Sequence, residues 1–325
     1  MTANYLKPFV IAEIGNNHEG NFQIAKKMVL EASKAGVDAV KFQTFKTSEF
    51  LSQDNKKFEM YEKFQLSYEE FTNLSIITKK LKMKFISTPL DLQSSVFLSK
   101  IVDYFKISSG DNNFNLLIEN VLKFRKKTII STGILKFNEI KKLTTFIKSK
   151  NFPLNKLTLM HCISEYPAEL KNLNLLSIKF LKEKLKVNIG YSDHSKGILA
   201  PIIAYNLGAN IIEKHFTLDN NFSNFRDHSL SLNPKNMRKL VNSLKDNYIS
   251  LGKLKKEPTL NELKNRKLMR RSVYAKKDIL KNDIITTNNI KFVRPEIRSN
   301  LKDIKKFLGK KSKKKINKDK MIILK

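Results

Sequence analysis

The sequence predicts an α/β protein: a (β/α)8 barrel, the TIM-barrel arrangement, followed by a small C-terminal domain. Eight short apolar runs recur along the chain, and stretches with helical spacing separate them. Strands that alternate with helices indicate a parallel sheet. Eight such units in roughly 250 residues is the size of a barrel of this kind.

The eight predicted strands each end in small or polar residues. In chain order they are FVIAEIG (9–15), AVKFQT (39–44), KFISTP (84–89), YFKISS (104–109), TIISTG (128–133), LTLMHCI (157–163), VNIGYSDH (187–194) and NIIEKHF (210–216). A doubly wound sheet is the structural alternative, but no glycine-rich GxGxxG motif follows the first strand.

The first predicted helix, FQIAKKMVLEASKAG, places Ile24, Met28, Ala32 and Ala35 on one face and ends at Gly36, a residue suited to a helix C-cap. The connection 45–83 is longer than the others and holds an extra excursion before its helix. Further helices are predicted at 92–101, 137–149, 175–185, 197–209 and 236–251.

The character of the chain changes after Leu251. Residues 1–251 form the predicted barrel, and the polar stretch 252–271, with Pro258, is predicted to be a linker. Residues 272–325 contain short apolar runs punctuated by asparagine and aspartate. They predict a small domain of strands and turns, because the segment is too short for a second barrel.

Composition limits the partners and the compartment. The net charge of +32 is compatible with a nucleic-acid binder. However, only 8 of the 62 basic residues are arginine, and the lysines are spread over most predicted helices, so we expect no nucleic acid. A single cysteine, Cys162, and the absence of a long apolar run predict a cytoplasmic protein that does not contact a membrane.

Strand parity places polar side chains inside the mouth of the predicted barrel. Side chains alternate along a strand, and active sites of such barrels lie at the carboxyl ends. The inward positions predicted in this way pair Glu13 with Gly15, Lys41 with Gln43, Lys106 with Ser108, Ser192 with His194, and Glu213 with His215. All five histidines, His18, His161, His194, His215 and His228, fall at or just beyond strand ends and are predicted to share this mouth.

Lys41 and Lys106 are the predicted anion-binding residues. Two lysines on separate strands indicate a substrate with more than one negative charge, since each ammonium meets a phosphate or carboxylate as a point charge. The alternative is a buried lysine–glutamate pair, for instance Lys41 with Glu13. His194 and His215, on neighbouring strands, can together hold one divalent cation, or can simply form a hydrogen-bonded pair.

The motifs resemble those of the sialic acid (N-acetylneuraminate) synthase family, the NeuB-type barrels. IAEIGNNHEGN, KFQT, FISTP, KISSGD, ISTGI, HCISEYP, GYSDHS and EKHFTLD follow in the family's order along nearly the whole chain. The resemblance implies an enzyme that condenses phosphoenolpyruvate with an N-acetylated amino sugar. It also implies that the segment from Arg271 is an antifreeze-like, or SAF, domain.

The resemblance further implies roles for individual residues. His194 and His215 match the ligands of a divalent metal, Mn²⁺ or Mg²⁺. Glu13 matches a carboxylate with an acid–base role, and Asp111 stands where many relatives have a catalytic glutamate. Positions around phosphoenolpyruvate are matched by Lys41, Thr88, Lys106, Ser109, Ser164, Tyr166 and Ser192, of which Ser164 replaces an asparagine. Gln43, Asp227 and Arg294 match positions that hold the sugar.

The C-terminal resemblance implies a homodimer with swapped C-terminal domains, in which Arg294 reaches the partner's barrel. The segment VRPEIRSN (293–300) lacks the two glycines that the family has there, and Arg298 is a second candidate for this role. Two other functions stay open: a 3-deoxy sugar-acid synthase acting on a phosphorylated sugar, and a nucleic-acid-binding protein on a barrel scaffold. The acceptor also stays open, between N-acetylmannosamine and the diamino-sugar precursor of legionaminic acid, and the segment FRDHSLSLNP (225–234) is expected to line the site of that choice.

Overall fold

Within residues 6–296 and 301–323, which the computed structural model describes, eight parallel strands form a closed barrel. Each strand pairs with the next along the chain, and the last pairs with the first. They are β1 (Phe9–Gly15), β2 (Ala39–Thr44), β3 (Lys84–Pro89), β4 (Tyr104–Ile107), β5 (Lys127–Ser131), β6 (Leu157–His161), β7 (Asn188–Asp193) and β8 (Ile211–His215). The predicted fold is confirmed, and the strand ends lie within two residues of the predicted ones.

Helices alternate with the strands and cover the outside of the barrel. In chain order the helices among the described residues are α1 (Phe22–Ala35), α2 (Thr47–Phe50), α3 (Phe58–Phe64), α4 (Tyr68–Lys80), α5 (Leu92–Leu98), α6 (Asn115–Lys123), α7 (Phe137–Ser149), α8 (Leu176–Leu185), α9 (Leu199–Asn206), α10 (Arg226–Leu230), α11 (Pro234–Leu251) and α12 (Leu260–Met269). α6 is absent from the predicted helices, although its apolar residues repeat with helical spacing.

The ends of α1 show how local sequence sets an element. The Asn21 side chain accepts a hydrogen bond from the backbone of Ile24 and caps the first turn. At the other end Gly36 adopts the left-handed conformation, with φ of 85°, that closes a helix. The face between these caps packs Met28 and Ala32 against the barrel core.

The excursion between β2 and β3 contains α2 and α3 and carries an aromatic cluster. Phe45, Phe50 and Tyr61 pack on one another with ring centroids 5.6–5.7 Å apart. Phe64 then meets Phe225 edge to face at 5.2 Å, so the excursion is joined to the segment that follows β8. Both segments stand at the carboxyl ends of their strands, where a rim around a barrel mouth is formed.

The chain divides into two compact units, Met1–Lys253 and Leu254–Lys325. The second unit contains α12 and an antiparallel pair, β9 (Ser272–Ala275) and β10 (Ile290–Val293), over a small apolar core that includes Val273 and Ile279. α12 lies inside the stretch predicted as a linker. Its start is a capping box between Thr259 and Glu262, a helix signal that outweighs Pro258 just before it.

No helix in the described part of the chain is both long enough and apolar enough to cross a bilayer.

Gly20 follows β1 at a point where the backbone of α3 comes very close. With φ of 79°, it is left-handed, and a methyl group there would lie 1.9 Å from the Lys63 carbonyl oxygen. Gly197 has nearly the same φ, 80°, but nothing within 4 Å of the corresponding position. The two glycines therefore form a matched pair that separates backbone strain from a steric clash.

We expect Gly197→Ala to lower the free energy of unfolding by about 1–2 kcal/mol, the cost of a left-handed alanine. Gly20→Ala should lose roughly 1–3 kcal/mol more, because the backbone around Lys63 must move. Urea denaturation of both variants measures this. Equal losses would show that the contact with α3 contributes nothing to stability.

Candidate active site

Inside the barrel, apolar side chains form a lower layer, and charged side chains form a second layer closer to the carboxyl ends of the strands. The lower layer is a cluster of inward-facing side chains, Ile11, Ala39, Ile86, Ile129 and Met160. Directly above this layer, towards the carboxyl ends, Glu13, Lys41, Lys106 and Glu213 are all buried. Since water is excluded here, each charge must be met by another protein charge or by a ligand.

These four side chains form a chain of alternating charge. Lys41 Nζ lies 2.9 Å from Glu13 Oε2 and 3.7 Å from Glu213 Oε1. Lys106 Nζ donates to Glu213 Oε1 at 3.0 Å. The Ser192 hydroxyl donates to the same oxygen at 2.9 Å. The lysine–glutamate alternative for Lys41 is therefore present, and Lys106 meets Glu213, a residue to which the sequence assigned no role.

The charge chain shifts the pKa values of its members in different directions. Burial raises the pKa of Glu13 to about 7, although Lys41 opposes the shift. Burial would raise the pKa of Glu213 as well, but Lys106 and Lys41 together hold it well below its usual range. Burial lowers the pKa of Lys106, with Glu213 opposing. Glu13 is thus the member that can gain or lose a proton near neutral pH.

A cavity opens above the charge chain and collects most of the predicted site residues. Those that line it are Lys41, Gln43, Thr88, Lys106, Ser109, Tyr166, Ser192, His194, His215 and Asp227. Asn16, Thr88 and His215 each hold a buried polar atom without a hydrogen-bond partner among the described residues. Such atoms are rare in proteins, and their concentration around one cavity indicates that a ligand satisfies them.

Four other predicted residues lie outside the cavity lining. Glu13 is below it, against Lys41. Asp111 accepts a hydrogen bond from Ser108 at 2.5 Å, and burial raises its pKa. Ser164 is exposed, yet a methyl group built at Gly133 would lie 2.5 Å from its hydroxyl and 2.6 Å from that of Ser109. The two serine hydroxyls therefore face the same small space.

Arg294, the remaining predicted site residue, is exposed at the end of β10 in the second unit. Arg298 lies outside the described residues. The reach of Arg294 into a partner's barrel stays a prediction.

The two predicted metal ligands lie together at the cavity wall. The rings of His194 and His215 have centroids 5.5 Å apart. His194 Nδ1 donates to the Ile163 carbonyl at 2.6 Å, which leaves Nε2 with a free lone pair. His215 Nδ1 is buried without a partner among the described residues. Burial lowers the pKa of both imidazoles, so both rings are neutral at physiological pH.

This pair fits a divalent cation that takes only two ligands from the protein. Neutral imidazoles are good ligands for such ions, and an unpartnered buried nitrogen is what an ion would satisfy. Among the described residues no group of three or more His, Cys, Asp or Glu side chains could hold a metal. Water and substrate oxygens would supply the other ligands.

The prediction that all five histidines share the mouth is wrong. His161 follows Met160, which points into the barrel, so His161 faces outward, where it bonds to the Leu173 carbonyl at 2.8 Å. His228 is buried between Thr217 and Glu19, and His18 accepts a hydrogen bond from the Gly20 amide. Only His194 and His215 line the cavity among the described residues.

Comparison with known proteins identifies the family of this chain. Residues 28–256 match the model of the NeuB family, and residues 270–323 match that of the SAF domain. The chain belongs to the NeuB family. The predicted resemblance to sialic acid synthases is confirmed, and the protein is an enzyme of this family with a C-terminal SAF domain.

Three relatives show how far the likeness extends. An uncharacterised protein of Methanocaldococcus jannaschii is 41% identical over 88% of this chain and 85% of its own length. The N,N'-diacetyllegionaminic acid synthase of Campylobacter jejuni is 34% identical over 97% of this chain and 99% of its own. The crystal structure of the sialic acid synthetase of Leptospira borgpetersenii, in complex with citrate, has a TM-score of 0.75 and 34% identity, covering 81% of this chain and 91% of its own.

The structure adds residues to this NeuB-family site that the sequence did not single out. These are Asn16, Tyr61 and Glu213, which line the cavity. Phe225 and Arg226 line it as well, and they belong to the segment 225–234 that was expected to line the acceptor site. Parity placed Glu213 facing inward, but its pairing with Lys106, 107 positions earlier, depends on the closed barrel. Arg226 directly precedes Asp227, and this adjacency was the available signal.

A second buried ion pair lies behind the two imidazoles, on the outer face of the barrel. Lys214 Nζ lies 2.6 Å from Asp193 Oδ2, and both side chains are fully buried. Asp193 also accepts hydrogen bonds from the Tyr191 hydroxyl and from the backbone and hydroxyl of Ser195. The pair joins the ends of β7 and β8 at residues adjacent to His194 and His215.

We expect Lys214→Met to lower the free energy of unfolding by about 3–5 kcal/mol, because it leaves the Asp193 carboxylate buried and unpaired. The double variant Asp193→Asn with Lys214→Met should lose less, since no unpaired charge remains. Denaturant unfolding of both variants measures the difference. A double variant less stable than Lys214→Met alone would contradict this account.

Proposed function

We propose that this enzyme condenses phosphoenolpyruvate with the open-chain form of an N-acetylated amino sugar, giving a nine-carbon sialic-acid-type product and phosphate. The observation that carries the proposal is the cavity itself, in which two buried lysines lie beside two neutral imidazoles. The names of the NeuB-family relatives support it. The match to the SAF domain argues against a 3-deoxy sugar-acid synthase, which we expect to lack such a domain.

Lys41 and Lys106 are proposed to bind the phosphate and carboxylate of the donor. Their glutamate partners keep both lysines paired inside the barrel, so an incoming anion shares these ammonium groups with Glu13 and Glu213. Thr88, Ser109, Ser164, Tyr166 and Ser192 are proposed to complete the donor site. The unpartnered Thr88 hydroxyl supports this role, because it is a buried group that a phosphate or carboxylate oxygen would satisfy.

Gln43 and Asp227 are proposed to hold the acceptor sugar. Gln43 accepts a hydrogen bond from Asn16 at 2.9 Å, and Asp227 Oδ2 lies 3.8 Å from His215 Nδ1. Asp227 is therefore held beside the imidazole pair, and Gln43 lines the same cavity. His194 and His215 would hold Mn²⁺ or Mg²⁺, which when bound would supply Lewis-acid polarisation of the acceptor aldehyde.

The reaction requires one carbon–carbon bond to form and one carbon–oxygen bond to break. The methylene carbon of phosphoenolpyruvate attacks the aldehyde carbon, and the aldehyde oxygen takes up a proton. Water adds to the carbon that carried the enol ester, and phosphate leaves by carbon–oxygen cleavage to give the keto acid. Glu13, with its pKa near neutrality, is suited to relay protons in these steps, and Asp111 is a second candidate.

The assembly and location of the enzyme are also proposals. We infer a cytoplasmic homodimer with swapped C-terminal domains, in which Arg294 of each subunit contacts the acceptor in the other. Nucleic acid has no place in this function.

Purified enzyme should release phosphate from phosphoenolpyruvate only when an acetamido sugar is present, tested across N-acetylmannosamine and the diacetamido precursor of legionaminic acid. Chelation should stop the release, and Mn²⁺ or Mg²⁺ should restore it. His215→Ala should lose at least about a hundredfold in rate, whereas His161→Gln, on the outer face, should stay near wild type. Release that persists after thorough chelation would contradict the metal role.

Donor binding should depend on the protonation of Glu13. Below pH 7 the neutral carboxyl leaves Lys41 free for an anion, and above pH 7 the carboxylate competes for it. The dissociation constant of phosphoenolpyruvate should therefore rise up to about fivefold between pH 7 and pH 8. Glu13→Gln should bind at pH 8 as wild type does at pH 6, once the donor's own titration, common to both proteins, is subtracted. Calorimetry measures this, and identical profiles for the two proteins would refute it.

A further inference from the structure

Arg226 lies at the mouth of the cavity, with its guanidinium over the ring of Tyr166. It is the first residue of α10, and its side chain is 57% exposed. The guanidinium carbon lies 4.5 Å from the centroid of the Tyr166 ring. Its Nε donates to Asp227 Oδ1 at 3.2 Å. The contact with the ring and this hydrogen bond together hold the guanidinium among the residues that line the cavity.

The neighbours of Arg226 carry proposed roles for both substrates. Tyr166, proposed for the donor, stacks on His194 with centroids 4.2 Å apart. Asp227, proposed for the acceptor, lies against His215. Arg226 contacts both Tyr166 and Asp227. Arg226 therefore lies between the proposed donor site and the proposed acceptor site.

The terminal nitrogens of Arg226 are available to a ligand. Among the residues that the structure describes, only its Nε forms a hydrogen bond with the protein. A guanidinium can donate hydrogen bonds but cannot accept them, so it pairs best with an oxygen that carries no proton. In an open-chain acetamido sugar two oxygens meet this condition, the acyl carbonyl oxygen and the aldehyde oxygen, and the aldehyde is proposed to meet the metal; each hydroxyl both donates and accepts.

The charge of Arg226 also favours a neutral acceptor. Asp227 offsets most of the guanidinium charge at short range, so the pair as a whole attracts a phosphate weakly. The stronger attraction for anions lies deeper, where the ammonium groups of Lys41 and Lys106 line the cavity together. The two substrates are thus separated by charge, with the anionic donor beside the buried charge chain and the neutral acceptor at the mouth of the cavity.

We propose that Arg226 binds the acyl carbonyl oxygen of the acceptor's acetamido group and so selects acylated amino sugars. This inference rests on the proposed function. Arg226 acts here as a binding residue. Its guanidinium donates hydrogen bonds to the acyl oxygen, while Asp227 stays available to a sugar hydroxyl.

The experiment compares Arg226→Ala, Arg226→Lys and Arg238→Ala with the wild type. Arg238 is a matched control, since it lies on α11 and, among the described residues, its guanidinium bonds only to the Lys34 carbonyl. Steady-state kinetics are measured with phosphoenolpyruvate and each of three acceptors: N-acetylmannosamine, its diacetamido counterpart, and mannose, which lacks the acyl group. Thermal unfolding of each variant reports whether it is folded.

Arg226→Ala should raise KM for the acylated acceptors about ten- to a hundredfold, the loss of one hydrogen bond from a charged donor. Its KM for phosphoenolpyruvate and its low kcat/KM with mannose should stay within about twofold. Arg226→Lys should recover part of the loss, because it keeps the charge without the planar fork. Arg238→Ala should match the wild type.

The outcomes separate the inference from the proposed function. A wild type that releases no phosphate with any acetamido sugar would overturn the proposed function and the inference with it. An active wild type with unchanged acceptor KM in Arg226→Ala would overturn the inference alone. A rise confined to the KM of phosphoenolpyruvate, or an equal loss with mannose, would also overturn it.

Discussion

Four charged side chains buried inside a closed barrel set the conditions for everything around them. Glu13, Lys41, Glu213 and Lys106 alternate in sign from one strand to another, above a layer of aliphatic side chains that excludes water. An unpaired charge at that depth would strongly destabilise the fold, so each of the four requires an oppositely charged neighbour. These ion pairs also fix the strand register. A shift of a strand by one residue would move its lysine to the outer face, against the helices, and leave the partner glutamate unpaired.

The same strand carries the second constraint on its opposite face. Glu213 and His215 point into the barrel, whereas Lys214 between them points outward to Asp193. Strand β8 is therefore held from both sides by ion pairs, and the imidazoles of His194 and His215 lie between residues that cannot shift independently. A site held in this way keeps its dipoles and charges oriented before a substrate arrives, which is what electrostatic catalysis requires.

Strand parity predicted the inward residues well because a barrel imposes one simple rule on every strand. The rule placed Lys41, Ser192 and Glu213 at the cavity correctly, yet it could not pair Lys106 with Glu213, because that contact joins β4 and β8 across the barrel interior. His161 was misplaced because parity was not applied to β6, where Met160 faces inward. The rim was beyond prediction, since the meeting of Phe64 with Phe225 depends on how two long loops fold.

The buried charge chain and the residues at the mouth of the cavity differ in how freely they can be substituted. A substitution of one member of the charge chain leaves another charge buried and unpaired. The members of the charge chain can therefore change only together. The rim residues Tyr61 and Phe225 carry no charge and are bound by no such requirement, although the Phe64–Phe225 contact links the two segments that carry them. Substitutions at these uncharged positions can therefore accumulate singly while the buried charges stay paired. Relatives of this chain are named for legionaminic acid and for sialic acid, and each is about one-third identical to it.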